Sequence, residues 1–225
     1  MIKTKAFIVF CLLLLALACR SNKEERVLKG EEYFPVKIGD IRYYTVDTIL
    51  FNAFIPSIDT IRREIREEVV EQIAYDDGDT AYRVELSTYN TSKSEWVPFQ
   101  SFERKVIDNY AIEKMNNIQE VKLLFPIAEY KTKGSSYVWN TNMFNGKEPV
   151  IVKYSSVFKS YNNGINGYNN CVSIKLNKPQ SGIVNNIKEE VYAKNIGLVY
   201  RFTDSTDYLM DTAHLSGVRI FIRLK

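Results

Sequence analysis

Apolar and polar residues alternate with a period of two along most of this chain, and few folds satisfy that pattern. Tyr82-Arg83-Val84-Glu85-Leu86-Ser87 shows it plainly, and it suits a strand wetted on one face. Residues 41–49 are rich in β-branched and aromatic side chains and follow a Gly39-Asp40 turn signal. Further strands are expected at 96–106, 110–115, 121–125, 150–158, 171–176, 189–193, 198–202 and 218–224. Asp76-Asp77-Gly78-Asp79 stands between two such runs, and Asp-Gly in that position is a hairpin cue. The pattern predicts an all-β fold of about ten strands in one antiparallel domain, built as a curved sheet, a barrel or a sandwich.

Residues 58–75 fit two elements. Ile61, Ile65, Val69 and Ile73 recur every four residues, a spacing that marks one face of a helix and equally one face of a strand. Polar residues at Arg63, Glu67 and Glu71 favour a helix capped by Asp59 or Thr60 on period alone.

The N-terminus reads as an export signal. Lys3 and Lys5 precede an apolar run from Ala6 to Cys19, shorter than the roughly 20 residues of a membrane-spanning helix. Ala16-Leu17-Ala18-Cys19 resembles the bacterial lipobox, with leucine and the small residue exchanged relative to the usual order. That resemblance implies cleavage after residue 18, acylation of Cys19 and attachment to a membrane through several chains, since one acyl chain holds only marginally. The expected organisation is a signal peptide over 1–18, a lipidated flexible tether over 19–32 and a β domain over 33–225. The tether sequence after Cys19, RSNKEERVLKGEE, is charged and has no aromatic residue. Within it Lys23-Glu24-Glu25 resembles the export signal of Bacteroidota surface lipoproteins; an inner-leaflet, periplasm-facing location is the alternative.

Other short segments point the same way. Tyr33-Phe34-Pro35 with Gly39, Leu123-Leu124-Phe125-Pro126, Trp139-Asn140 with Asn145, and the run Tyr192 to Tyr200 (YAKNIGLVY) follow in that order. Together they resemble a family of Bacteroidota outer-membrane lipoproteins. The resemblance spans nearly the whole mature chain, implies origin and architecture, and contains no catalytic motif. It also implies that 58–75 is a long strand leading into a hairpin, and strand is the reading adopted. By its own chemistry the YAKNIGLVY segment is a tight hairpin, with Asn195 and Gly197 suited to positive φ.

Composition excludes much chemistry. Net charge falls from +3 to about +1 once Lys3 and Lys5 leave with the signal, which gives no field for nucleic acid. His214 is the single histidine, and nothing near it resembles a nucleophile elbow or a zinc motif. No cofactor or metal site is expected: Gly146-Lys147 lacks the phosphate-loop spacing, and Asp76, Asp77 and Asp79 read as a polar hairpin tip. Of three cysteines, Cys171 alone stays in the domain with a free side chain, expected as a half-buried strand-end residue. A hydrolase with paired carboxylates is the remaining enzymatic alternative, and the reading adopted is no enzyme.

Five of the ten aspartates stand in Asp-Ser/Thr tripeptides that end in a small or aliphatic residue and resemble the Bacteroidota O-glycosylation signal. The candidate acceptors are Thr48, Thr60, Thr80, Ser205 and Thr212, with turn-to-strand positions as the structural alternative. The chain has 15 Tyr, 12 Phe and 2 Trp, most of them placed for strand packing. Loops expected at 129–148 and 161–170 are candidate contact segments. Trp139, among Asn and Ser in the first loop, is the aromatic best placed for exposure, with packing left open. The function expected is a non-catalytic binding or envelope-interaction module anchored at the cell envelope, touching a glycan or an envelope protein. The alternative is a carrier of a lipid or other apolar ligand, which requires an apolar cavity.

Overall fold

The computed structural model describes residues 30–52, 57–76, 78–127, 138–176, 184–208 and 215–225. After a short 3-10 turn, η1 (Glu31–Tyr33), the described residues form β1 (Ile41–Asn52), β2 (Ser57–Ala74), β3 (Thr80–Asn90), β4 (Glu95–Ile107), β5 (Tyr110–Met115) and β6 (Ile118–Leu124). The second half supplies β7 (Val138–Asn140), β8 (Ile151–Asn162), β9 (Gly167–Leu176), β10 (Val184–Ala193), β11 (Gly197–Tyr208) and β12 (Leu215–Leu224). These strands make one twelve-stranded sheet in the order β6-β5-β4-β3-β2-β1-β12-β11-β10-β9-β8-β7. The pairings between the described strands are antiparallel. The result is an up-and-down, nearly closed barrel in which β1 and β12 pair at the middle of the sheet order, as the all-β expectation allows.

The contested segment is a strand. β2 pairs Tyr44 with Ile65 and Thr48 with Ile61, so Arg63 and Glu67 share the inward face with the isoleucines. A bulge between Val69 and Glu71 then reverses the alternation, and Glu71 meets Arg83 on the outside at 2.8 Å. Inward charge together with the bulge produced the four-residue spacing that resembled a helix.

The barrel is held shut between β6 and β7 mostly by side chains. Val121 N–H donates to Thr141 O at 2.9 Å, and the Trp139 indole N–H donates to Val121 O at 3.2 Å. Asn145 Nδ2 donates to Gln119 O at 2.7 Å. The Tyr154 hydroxyl accepts from Leu124 N–H at 3.1 Å and donates to Leu124 O at 2.8 Å. Trp139 therefore lies on β7 and is buried, with 6% of its surface exposed. That corrects the expectation of a plain loop over 129–148, of which residues 128–137 lie outside the described residues. The indole is needed at the seam, where a continuous ladder is missing.

The expectation of a loop over 161–170 is corrected too. β8 and β9 run into this segment, leaving 163–166 as the turn, and Asn163 staples it to the barrel. Its buried side-chain amide donates to Val199 O at 3.0 Å and Leu224 O at 2.9 Å, while its Oδ1 accepts from Ile165 N and Asn166 N at 2.8 Å. Cys171 is fully buried within β9 beside Val191 and Val199, and not at a strand end. At the N-terminal side, Gly30 to Glu32 belong to the packed body although the sequence assigns them to the tether. Asn195 N–H donates to Glu32 O at 2.6 Å, and Lys194 meets the Glu32 carboxylate at 3.5 Å.

One glycine is fixed by its surroundings. Gly217 on β12 has φ 123°, and a Cβ there would lie 2.2 Å from Ser205 O. We expect Gly217→Ala to cost about 2–3 kcal/mol in urea denaturation. Gly78→Ala, where φ is 88° but a Cβ meets nothing within 4 Å, should cost only about 1 kcal/mol. Equal losses would show that packing at Gly217 does not matter.

Candidate functional site

The inward faces of β2, β4, β5, β6, β10 and β11 place charged residues where a barrel ordinarily holds aliphatic ones. Glu67 sits on β2, Arg104 on β4, Glu113 on β5, and Glu120 and Lys122 on β6. Lys188 and Glu190 come from β10 and Arg201 from β11. Glu67, Arg104, Lys122 and Glu190 each expose 6% or less of their surface.

These groups form one connected lattice. Arg104 donates two parallel hydrogen bonds to Glu67, at 2.8 and 2.9 Å, and its Nε donates to Glu113 at 2.9 Å. Arg42 reaches Glu67 at 3.0 Å. The Arg104 guanidinium also lies 5.0 Å from the Phe102 ring centre and 5.6 Å from that of Phe34, which favours the cation further. Lys122 donates to Glu190 at 2.7 Å across the barrel and meets Glu120 at 3.3 Å. Lys188 pairs with Glu120, and Arg201 Nε lies 2.9 Å from Glu190.

Burial alone would push these carboxyls up, but the cations outweigh it. The Glu67 carboxyl is held down by Arg104 and Arg42, and that of Glu190 well down by Arg201, Lys122 and Lys188. Burial raises the Glu120 carboxyl, and Lys122 and Lys188 bring it to about 2. Lys122, which burial would lower, is raised by Glu190 and Glu120. The Tyr192 hydroxyl, buried and donating to Glu190 at 2.6 Å, is raised.

A recess of about 70 Å3 opens beside the lattice. It is lined by charged and polar side chains, Arg104, Arg201, Glu67, Glu113 and Tyr44, interleaved with apolar ones that include Ile65, Leu86 and Met115.

The outer wall holds a second feature. Tyr43 and Tyr44 are sequence neighbours on opposite faces: Tyr44 is buried with its hydroxyl donating to Leu198 O at 3.1 Å, and Tyr43 is 43% exposed. The Tyr43 ring centre lies 5.6 Å from that of Trp96, and the Tyr89 ring centre 5.4 Å from it. Tyr89 is 44% exposed. Neither feature was singled out from sequence, although period-two alternation already sends Tyr43 and Tyr44 to opposite sides.

Of the residues the sequence did single out, Cys19, Lys23, Glu24, Glu25, Thr212 and His214 lie outside the described residues. Thr60 and Ser205 are exposed on β2 and β11, while Thr48 and Thr80 are half-buried on β1 and β3. Asp47 and Asp204 lie within strands, which corrects the turn-to-strand alternative for those two tripeptides. Asp47 pairs with Arg62 and Arg223, each at 2.6 Å, and Asp204 with Arg219 at 2.7 Å. The structure does not bring the candidate acceptors together.

No protein-family model matches this chain, and no curated protein matches it. Among solved structures it is similar to a Bacteroides fragilis protein that is assigned as exported and has a YmcC-like fold, with 12% identity and a TM-score of 0.39. The match covers 85% of this chain and 97% of that one.

Two measurements test the lattice. Arg104→Met leaves Glu67 and Glu113 buried without their main partner and should cost about 3–5 kcal/mol in urea denaturation. The depressed carboxyls of Glu67, Glu120 and Glu190 add stability that is fully present above their ordinary value of 4.5. That stability is lost as pH falls through the folded values, toward about 2 for Glu120. An acid titration followed by circular dichroism should show stability declining below pH 4.5, and a flat profile down to pH 2 would contradict the lattice.

Proposed function

We propose that this protein is exported, held at the outer membrane of the cell envelope by lipid on Cys19, and acts there as a non-catalytic binding module. The lipobox resemblance at Ala16 to Cys19 and the charged residues that follow support the anchor. The observation that carries the binding role is the Tyr43–Trp96–Tyr89 cluster, three rings in contact on the outer wall with both tyrosines open to solvent. Strands β1, β3 and β4 fix it, so ring faces are presented with little conformational entropy left to lose. Such a platform takes flat apolar faces with polar edges, and a glycan's pyranose rings fit that description.

The interior supports the interaction module over a lipid carrier. A recess of about 70 Å3 is far below the roughly 300–1,000 Å3 of pockets that enclose drug-sized ligands. Paired-carboxylate hydrolysis is disfavoured as well, because a general acid needs a raised carboxyl, whereas Glu67, Glu120 and Glu190 are lowered and held by cations.

Two experiments test the proposal. Metabolic labelling with an alkynyl fatty acid should mark the wild type and fail to mark Cys19→Ala; equal labelling of both, or of neither, overturns the anchor. For the platform, Trp96 is the responsive fluorophore, since Trp139, the other of the 2 Trp, is buried. Titration with an oligosaccharide panel should shift Trp96 emission saturably, and Tyr43→Ala should weaken binding by about tenfold or more without moving the melting temperature. Emission unchanged by every oligosaccharide would end the glycan reading.

A further inference from the structure

The recess beside the lattice is lined by both charged and apolar side chains, and one of the charged ones is incompletely bonded. Arg201 Nε lies 2.9 Å from Glu190 Oε1, but its N–H is not directed at that oxygen, and Nε is shielded from solvent without a hydrogen-bond partner. Both Glu190 oxygens already accept from others: Oε1 from Lys122 at 2.7 Å and Oε2 from the Tyr192 hydroxyl at 2.6 Å. Arg201 Nη2 is 3.9 Å from Glu113 Oε2, beyond hydrogen-bond range. Glu113 Oε1 accepts from Arg104 Nε at 2.9 Å. Arg201 is thus charge-compensated by neighbours whose acceptors are largely directed at other donors.

A guanidinium stays charged and offers five N–H groups in a planar fork, which a carboxylate matches with two parallel hydrogen bonds. Glu67 and Glu113 nearby disfavour a dianion such as phosphate, so a monoanion is the better complement. Ile65, Leu86 and Met115 line the same recess and offer hydrocarbon. The volume of about 70 Å3 equals about two water-sized shares of roughly 30 Å3, room for a carboxylate head group. Beyond it, further side chains on the same face would meet a longer tail. Val46 and Ile222 pair beside the recess, followed on the same face by Thr48 with Ile220 and Ile61, then Leu50 with Val218.

We propose that this recess is a binding site for a small aliphatic carboxylate, its head group accepting from the Nη groups of Arg201 and its hydrocarbon lying against Ile65, Leu86 and Met115. The site is independent of the outer aromatic platform and stands or falls separately from it.

Isothermal titration of the full mature chain with sodium acetate, butyrate and hexanoate tests the site, with n-butanol and sodium chloride as controls. Saturable binding should tighten by about fourfold per added methylene, and neither control should match butyrate. Arg201→Gln should weaken butyrate by at least about tenfold. Met115→Phe fills part of the recess without altering a charge, and it should abolish binding while circular dichroism is retained. The proposal is overturned if no carboxylate exceeds chloride, if butanol equals butyrate, or if butyrate binds Arg201→Gln unchanged. Should Arg201→Gln fail to fold, unchanged butyrate binding by Met115→Phe overturns it alone.

Discussion

The lattice that runs from Glu67 through Arg104 and Glu113 to Lys122 and Glu190 sets the terms for the rest of the barrel. Lys122 and Glu190 are on β6 and β10, 68 residues apart in sequence and joined at 2.7 Å, so their bond is a strut across the interior. Charges removed from water are costly unless nearly every donor and acceptor is matched. That requirement fixes the distance between opposite walls more tightly than aliphatic contacts would. It also explains the aromatic packing around Arg104, because Phe34 and Phe102 are placed to exclude water while still favouring a cation. The apolar clusters lie around this frame: Tyr33, Phe125 and Ile127 in one, Val69 and Val84 in another.

The all-β, antiparallel class and most of the strands were legible because alternation with period two is a local property, written residue by residue in segments such as 82–87. The long strand at 58–75 was legible only with help from the family resemblance. Glu67 faces inward, and the inward face of a strand is read from sequence as its apolar face. Nothing in the sequence near Glu67 announces Arg104, which reaches it from 37 residues away. The seam at β7 was hidden for a similar reason. A three-residue strand, Val138–Asn140, is too short for any period, and the value of Trp139 there depends on Val121, a partner 18 residues distant. The tip at 163–166 had the composition of a free loop, and only the fold reveals that Asn163 spends its amide on the carbonyls of two other strands.

β1 links the two candidate sites through its alternation. Tyr44 faces the interior recess and Tyr43 the outer cluster, so one dipeptide contributes to both faces of the same wall. A rigid wall of this kind keeps the two surfaces at a constant separation. Binding at the outer rings therefore needs no rearrangement of the lattice within.

The pairing of β1 with β12 puts the two ends of the domain side by side at the middle of the sheet, with Tyr44 opposite Leu224 and Thr45 opposite Arg223. The order in which such a sheet can be completed follows from this. Hairpins between sequence neighbours can zip as soon as both strands exist, because they close short loops. The β1–β12 ladder closes the longest loop in the domain and has the highest entropic cost. Until β12 is in place, β1 and β11 are unpaired edges, and the two meanders are joined only through the β6–β7 seam and the strut from Lys122 to Glu190. The central ladder is therefore the one that a strand from each end of the domain must be present to form, and pairing of β12 with β1 is what turns two curved halves into one continuous sheet.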